Sequence, residues 1–198
     1  GILLLLSDEV REELVHSSGH QSERVAVNAF ELQDGRLRQV KVTRKSDLAR
    51  LRPIWVDLVD PPAEVRFWVG EYFGLDLPDP GNLTDLEASA RFYDDDEGAV
   101  HLHSDFLLET EGLAQNVPVA FVLHRDILFS IRTDELPVFR LQRLRARTQP
   151  GYVTEGKDVL LDLYAADVEY SADSLEKVYA ELRSEEHTSE LQSHSYLV

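Results

Sequence analysis

The sequence predicts an α/β fold: a mixed sheet of about seven strands, sandwiched between helices and leading into a long helix. Short runs of β-branched and aromatic residues recur along the chain, and several are paired across tight-turn sequences. Segments with apolar residues at helical spacing lie between these runs. With 198 residues and 43% hydrophobic content, the chain can bury one substantial core.

The first strands are predicted after an N-terminal extension. Residues 1–24 predict a short helix over Glu9–His16 and then a polar loop, which does not favour a metal site at His16 and His20. The runs Val25–Leu32 and Leu37–Thr43 flank an Asp-Gly turn, a strong hairpin signal. A helical turn is predicted next, over residues 46–51.

The segment Pro53–Gly74 is the unit around which the other elements are arranged. The run Ile54–Leu58 is apolar on both faces, which is typical of a strand inside a sheet. Pro61 and Pro62 end this strand and suit the start of a helix. Apolar residues at helical spacing follow, and Gly74 is expected to close the helix.

An acidic turn, Asp94–Gly98, joins two further predicted strands, Ser89–Tyr93 and Val100–Glu109. Its carboxylates could form a cation loop, but their spacing is not that of an EF-hand, so a solvated hairpin turn is favoured. Thr84 and Glu87 have the spacing of a capping box before the first of these strands. His101 and His103 share one face of the second strand, and we expect that face to be polar and exposed.

The last hairpin and the helices after it complete the fold. Asn116–His124 and Ile127–Arg132 are apolar almost throughout, which predicts strands covered on both faces. The segment Glu135–Gln149 predicts a helix whose four arginines are expected to pair with neighbouring carboxylates. Asp158–Leu182 predicts a longer helix with an apolar stripe and many acidic residues.

Composition excludes several classes of function. The formal charge of −17 disfavours nucleic acid as a partner, because phosphate binding needs a basic face. The absence of Cys excludes disulfides, thiolate metal sites and a cysteine nucleophile, and no motif typical of an enzyme is present. No segment approaches the ~20 apolar residues of a membrane span. We therefore expect a soluble domain that is not an enzyme, and the absence of Met predicts a fragment.

Several blocks in a fixed order resemble the N-terminal cytosolic domain of the CorA family of magnesium channels, in its proteobacterial type. The resemblance covers about residues 25–182. The blocks are Ala29–Leu32, Trp55–Val59, Asp85–Phe92, Glu135–Leu141 with Arg145–Arg147, and Leu160–Leu163.

The resemblance implies a cytosolic regulatory domain that leads into a stalk helix and then into two transmembrane helices. Family members are homopentamers in the inner membrane that pass Mg²⁺, and also Co²⁺ and Ni²⁺, through a pore whose mouth carries Gly-Met-Asn. A chain without Met lacks that motif, so we expect a fragment truncated before the membrane helices.

The resemblance also implies a weak regulatory Mg²⁺ site between neighbouring subunits. Glu109 and Glu111 of one subunit are the candidates near the end of a strand. Asp167, Glu169 and Asp173 are the candidates along the helix of its neighbour. A solvated acidic face explains each of these residues equally well.

Two alternatives remain open for the family assignment. The same scaffold occurs in related zinc transporters, and a free-standing cytosolic cation-binding module would have the same sequence features. The tail, residues 183–198, departs abruptly from the family. Because Arg183–Ser193 matches one reading frame of a common adapter oligonucleotide, we expect this tail to be an artefact that is disordered or continues the helix.

Overall fold

The computed structural model describes residues 27–82 and 91–195, with side chains up to residue 186. Its strands and helices follow in the order β1 (Val27–Gln33), β2 (Arg36–Val42), α1 (Lys45–Leu48), β3 (Trp55–Val59), α2 (Ala63–Phe73), β4 (Phe92–Asp94), β5 (Val100–Thr110), β6 (Leu113–His124), β7 (Ile127–Arg132), α3 (Pro137–Thr148) and α4 (Gly156–Ser195). A short 3₁₀ turn, Pro80–Asn82, lies between α2 and β4.

The strands form one seven-stranded sheet in the order β2-β1-β3-β7-β6-β5-β4. Strands β3 and β7 pair in parallel, and the other neighbours pair antiparallel. The predicted mixed sheet of about seven strands is therefore confirmed, and the apolar strand β3 lies inside it.

Helices pack on both faces of the sheet. Because side chains alternate along a strand, each strand contributes to two layers. Val56, Phe129 and Val122 belong to a core cluster on the face that also packs Val69 of α2. On the opposite face, Trp55 and Phe121 contact Phe139 of α3 at ring-centroid distances of 6.0 and 6.3 Å. The predicted sandwich is thus built from two apolar layers.

The predicted Asp-Gly turn and the predicted end of α2 agree with the structure, whereas the helical turn predicted over residues 46–51 is a helix over Lys45–Leu48 and α4 is longer than predicted. Asp34 and Gly35 have φ values of 52° and 74°, as the tight Asp-Gly hairpin between β1 and β2 requires. Gly74 ends α2 with φ 71°, a left-handed conformation that glycine adopts without strain. The predicted helix at Glu9–His16, His16 and His20, and the capping box at Thr84 and Glu87 lie outside the described residues.

Contacts divide the chain into two compact units at Ala166. The sheet, α1, α2, α3 and the first turns of α4 belong to the larger unit, and the rest of α4, from Asp167, belongs to the smaller one. The helix continues through the predicted tail to Ser195. In the part of the chain that the structure describes, no helix has the length and hydropathy that crossing a bilayer requires.

Candidate functional site

Glu109 and Glu111, two of the predicted metal-binding residues, lie at the tip of the β5–β6 hairpin. Glu109 is half-buried near the end of β5, and Glu111 is exposed in the turn. Glu111 and Gly112 have φ values of 52° and 79°, so a two-residue turn joins strands that pair up to Thr110 and Leu113. The strand pairing therefore fixes the backbone of this turn, and Glu111 is exposed to solvent there.

The other three predicted metal-binding residues lie on α4, in the smaller unit. Glu169 is exposed, and Asp167 and Asp173 are half-buried. At about 100° per residue, Glu169 and Asp173 share one side of the helix and Asp167 points away from them. Among the described residues, no three His, Asp or Glu side chains come together as a metal site would require. The Mg²⁺ assignment of all five residues stays a prediction.

The acidic turn between β4 and β5 is organised by Asp95. The Asp95 Oδ1 accepts the backbone N–H groups of Glu97 and Ala99 at 3.0 and 2.9 Å, and its Oδ2 lies 2.9 Å from His101 Nε2. The hydrogen bond to His101, followed by the backbone bond from Ala99, lowers the pKa of Asp95. Because both carboxylate oxygens already have protein partners, this geometry fits the predicted hairpin turn better than a cation loop.

The expectation that His101 and His103 lie on an exposed face is wrong. They are only 3% and 9% exposed. Strand β4 pairs with this part of β5, and Tyr93, the cross-strand neighbour of His101, stacks on it with ring centroids 4.6 Å apart. Neither ring nitrogen of His103 has a hydrogen-bond partner in the described structure, and burial lowers its pKa. The predicted alternation and the predicted pairing with the preceding strand are both present, but the burial of this face was not predicted.

A buried charged network fixes α3 to the sheet. Asp57 of β3 and Arg132 of β7 are 1% and 0% exposed. The Asp57 carboxylate accepts Arg132 Nε at 3.1 Å and Nη2 at 2.7 Å, and it also accepts the Ser130 hydroxyl at 2.7 Å. Ser130 in turn accepts the indole N–H of Trp55 at 2.8 Å. This network, which the sequence analysis did not anticipate, links two parallel strands in the middle of the sheet.

The network continues onto α3 through Glu135. Its carboxylate accepts Arg132 Nη2 at 3.1 Å and Arg143 Nη2 at 2.5 Å. Arg143 Nη1 also lies 3.9 Å from Asp57 Oδ2. The expectation that the arginines of this helix pair with carboxylates is thus confirmed for Arg143, whereas Arg140 Nε is buried with no hydrogen-bond partner among the described residues.

An apolar face runs along α4 in the smaller unit. Its large side chains share one side of the helix at about 100° per residue, and each is at least 49% exposed. They are Val168, Leu175, Val178, Tyr179 and Leu182. The spacing of Val168, Leu175 and Leu182 is seven residues, which is typical of a helix that packs against another helix.

Comparisons with known proteins agree on one family. The family model described as "CorA-like Mg2+ transporter protein" matches residues 51–197. Magnesium transport protein CorA of Escherichia coli K12 is 40% identical over 157 residues, which cover 79% of this chain and 49% of that protein. CorA of Salmonella typhimurium gives the same identity and coverage. The chain thus spans about half the length of the curated relatives it matches.

Solved structures share the fold at low sequence identity. Full-length CmaX gives a TM-score of 0.62 at 11% identity, covering 83% of this chain and 52% of that one. The soluble domain of CorA from Methanocaldococcus jannaschii gives 0.52 at 14% identity, covering 81% and 66%. The cytoplasmic domain of ZntB from Vibrio parahaemolyticus gives 0.57 at 14% identity, covering 78% and 63%. At these identities the likeness shows the fold alone.

Proposed function

Because this chain belongs to the CorA family of Mg²⁺ transporter proteins, we propose that it is the cytosolic part of a magnesium transport protein of the inner membrane. The observation that carries this proposal is the 40% identity to E. coli CorA over 157 residues. The whole protein would carry Mg²⁺, and also Co²⁺ and Ni²⁺, through membrane helices that follow the matched region. The family is one of transporters, which agrees with the expectation that the chain is not an enzyme.

The proposed role of this part is to sense Mg²⁺ and to regulate the pore. A bound Mg²⁺ keeps several waters and needs only one or two carboxylates, so a site between two copies would take one or two from each. Glu109 and Glu111 stand on a well-defined hairpin tip, and Glu169 and Asp173 share one side of a helix. These positions support a weak site at which Mg²⁺ bridges the hairpin of one copy and the helix of another. Asp167 would lie on that helix near the bound ion.

The proposed assembly of copies, a homopentamer, is supported by the exposed apolar face of α4. Five large apolar side chains along one helix face are costly to leave in water, at ~25 cal/mol per Å² of apolar surface. Packing against further helices would remove that surface from water. We expect this chain alone to be largely monomeric in dilute solution, because the stalk and membrane helices would provide most of the assembly energy.

The Mg²⁺ proposal is tested in an assembled protein. Residues 25–182 would replace the corresponding part of E. coli CorA, and the melting temperature of the purified chimera would be measured with and without millimolar Mg²⁺. We expect Mg²⁺ to raise it, and we expect Glu109→Ala with Glu111→Ala to reduce the rise. The matched control is Glu64→Ala with Glu71→Ala, two exposed carboxylates of α2. Full protection by Mg²⁺ in the Glu109/Glu111 variant would refute the assignment.

Transport itself is tested by reading the gene beyond the codon for Leu182. Two apolar spans of ~20 residues with Gly-Met-Asn between them would support the channel. A stop codon, or a continuation into soluble sequence, would leave a free-standing cytosolic module and withdraw the transport proposal. Mg²⁺ uptake by the chimera in a strain that needs added Mg²⁺ then tests whether this domain supports a working pore.

A zinc transporter on the same scaffold is the second candidate. The ZntB cytoplasmic domain shares this fold at 14% identity, so the fold does not discriminate between the two candidates. The 40% identity to magnesium transport proteins favours the first candidate. Uptake of Mg²⁺ and Zn²⁺ by the protein with its own membrane helices discriminates the two.

A further inference from the structure

Among the described residues, β2 forms one edge of the sheet, and this edge is strongly basic. The 17 residues from Arg36 to Arg52 carry seven of the 20 Lys and Arg residues of the chain and a single carboxylate, Asp47. All seven are exposed, three on β2 itself and four on the connection to β3. They are Arg36, Arg38, Lys41, Arg44, Lys45, Arg50 and Arg52. A protein with a net charge of −17 therefore concentrates positive charge at one end of its sheet.

Much of this positive charge is uncompensated. Arg38 lies 3.5 Å from Glu31, and Lys45 pairs with Glu71, both on the surface. Arg44 lies 4.0 Å from Asp47. The other four form no ion pair with the side chains that the structure describes; they are Arg36, Lys41, Arg50 and Arg52. Exposed ion pairs are weak, so even the paired groups are available to another partner.

The opposite end of the sheet is acidic. Residues 94–111 carry seven carboxylates and no Lys or Arg. They are Asp94, Asp95, Asp96, Glu97, Asp105, Glu109 and Glu111. Asp95 is engaged within its turn, and Asp105 lies 3.5 Å from Arg91. Phe92, on the outermost strand β4, is 60% exposed and adds an apolar side chain to this edge.

The two edges are too far apart to neutralise each other. Seven strands in the order β2-β1-β3-β7-β6-β5-β4 give six spacings, or about 29 Å at ~4.8 Å per spacing. This exceeds the Debye length of about 8 Å at physiological ionic strength. Each edge therefore presents its own charge to solvent. The sheet is positively charged at its β2 edge and negatively charged at its β4 edge.

We propose that the basic β2 edge of one copy docks against the acidic β4–β5 edge of the next copy, so that the domains associate head to tail. Charge complementarity favours another copy of this chain as the partner, because each copy carries one basic edge and one acidic edge. Like edges repel, so a two-fold contact of β2 with β2 is disfavoured. A head-to-tail contact is heterologous and closes into a ring or continues as a filament.

A second copy suits the basic edge better than an anionic membrane does. Binding to an anionic membrane would bring the 36 carboxylates outside residues 36–52 close to a surface that is also negatively charged and repels them. The inference deepens the proposed assembly of copies and rests on it, but it does not depend on transport. Its test uses this chain alone in solution, so its failure is distinguishable from a failure of the channel assignment.

Two charge-reversal variants test the docking. The basic-edge variant, Arg36→Glu with Lys41→Glu, lowers the formal charge of residues 36–52 from +6 to +2 and leaves the acidic edge unaltered. The acidic-edge variant, Asp94→Lys with Asp96→Lys, reduces the formal charge of residues 94–111 from −7 to −3 and leaves the basic edge unaltered. Sedimentation of concentrated protein at low ionic strength is expected to show association that salt removes, and each variant alone is expected to associate at least tenfold more weakly. Mixing the two variants is expected to restore association, because the unaltered edge of each then meets the unaltered edge of the other.

One charge-matched control separates the effect of docking from the effect of net charge. Arg125→Glu with Lys157→Glu changes the net charge as the basic-edge variant does, at exposed positions away from β2, and is expected to associate like the unaltered chain. Three results would overturn the proposal: no salt-sensitive association of the unaltered chain, no recovery on mixing, or an equal loss in the control. Loss of binding to phosphatidylglycerol vesicles in the basic-edge variant, with self-association unchanged, would assign the edge to a membrane instead.

Discussion

Arg132 is a cation without access to water, and its neighbours explain how the fold tolerates it. Burial alone lowers the pKa of Arg132, but the Asp57 and Glu135 carboxylates more than offset this effect, so the pKa lies above its usual value. The guanidinium also lies 4.4 Å above the ring of Phe139. Because the guanidinium stays charged, the stability of the fold depends on each of these partners.

Asp57→Ala is therefore expected to destabilise the chain severely. The substitution leaves the Arg132 charge buried and without its bidentate partner, which costs about 3–5 kcal/mol of unfolding free energy. Urea unfolding measures this loss. The double variant Asp57→Leu with Arg132→Met, which removes both charges, is expected to recover most of it. A double variant no more stable than Asp57→Ala would show that the pair does more than neutralise its own charges.

His103 is expected to make stability depend on pH near neutrality. Burial first, and then the charges of His101 and Arg91, lower the pKa of His103 below its ordinary 6.5. As pH falls, the unfolded chain takes up this proton before the folded chain does, so the stabilising contribution is present above pH ~6.5 and declines below it. His103→Leu is expected to flatten this decline.

The quantity to compare for His103 is the change of unfolding free energy with pH, not its value at one pH. Unfolding free energies at several pH values between about 7.5 and 5.5 would be compared for both proteins, because Leu changes packing equally at every pH. An unchanged slope in His103→Leu would assign the pH dependence to another group.

At the residue scale, the sequence carried part of this information. Asp57 stands out as a carboxylate inside an apolar run, and Arg132 as a cation at the end of another. Nothing local pairs them, because 75 residues separate them and only the parallel alignment of β3 with β7 brings them together. The burial of His103 was missed for a related reason, since it depends on side chains packed against this face of β5, which the alternation of the strand does not show.

At the scale of elements, the start of α4 is pressed against the sheet. A Cβ added to Gly156 would lie 2.4 Å from the Leu128 backbone nitrogen and 2.7 Å from the Ile54 carbonyl oxygen. Those two atoms form a 2.9 Å hydrogen bond at the beginning of β7. Glycine at this position thus lets the helix begin directly against the junction of β3 and β7.

Gly156→Ala is expected to destabilise the larger unit. The methyl group would displace backbone atoms that have hydrogen-bond partners, at a cost of about 2–4 kcal/mol. The control is Gly81→Ala, where the nearest atom is a side-chain oxygen of Asp79 at 3.3 Å. Thermal unfolding compares the two, and equal melting temperatures would mean that the helix start shifts without strain.

Strands and turns were predictable from the sequence where residues close together in the chain determine them. The Asp-Gly turn predicted one hairpin, and the adjacent apolar runs Asn116–His124 and Ile127–Arg132 predicted another; the structure contains both. The order of the strands was not predictable, because the parallel pairing of β3 with β7 joins segments separated by α2 and three strands. The predicted site residues depend even more on distant contacts, and neither their spacing nor their charge distinguishes a ligand from a solvated carboxylate.

At the scale of the whole molecule, the two compact units differ in how they bury apolar surface. Trp55, Phe121 and Leu163 of the larger unit are fully buried. In the smaller unit, Val168, Leu175 and Leu182 remain 52–69% exposed. A helix gains most of its stability from packing its apolar face, so this part of α4 has its full stability only where another helix covers it.

Leu175→Ala is therefore expected to behave differently in the isolated chain and in an assembled protein. In this chain Leu175 is 59% exposed, so the substitution is expected to change unfolding free energy by less than about 0.5 kcal/mol. In the chimera with the membrane half of E. coli CorA, a covered Leu175 would cost about 2–5 kcal/mol when truncated to Ala. Thermal unfolding of both pairs measures the contrast, with exposed Glu176→Ala on the same helix as the control. A small effect in both settings would mean that the apolar face stays in water after assembly and that another surface holds the copies together.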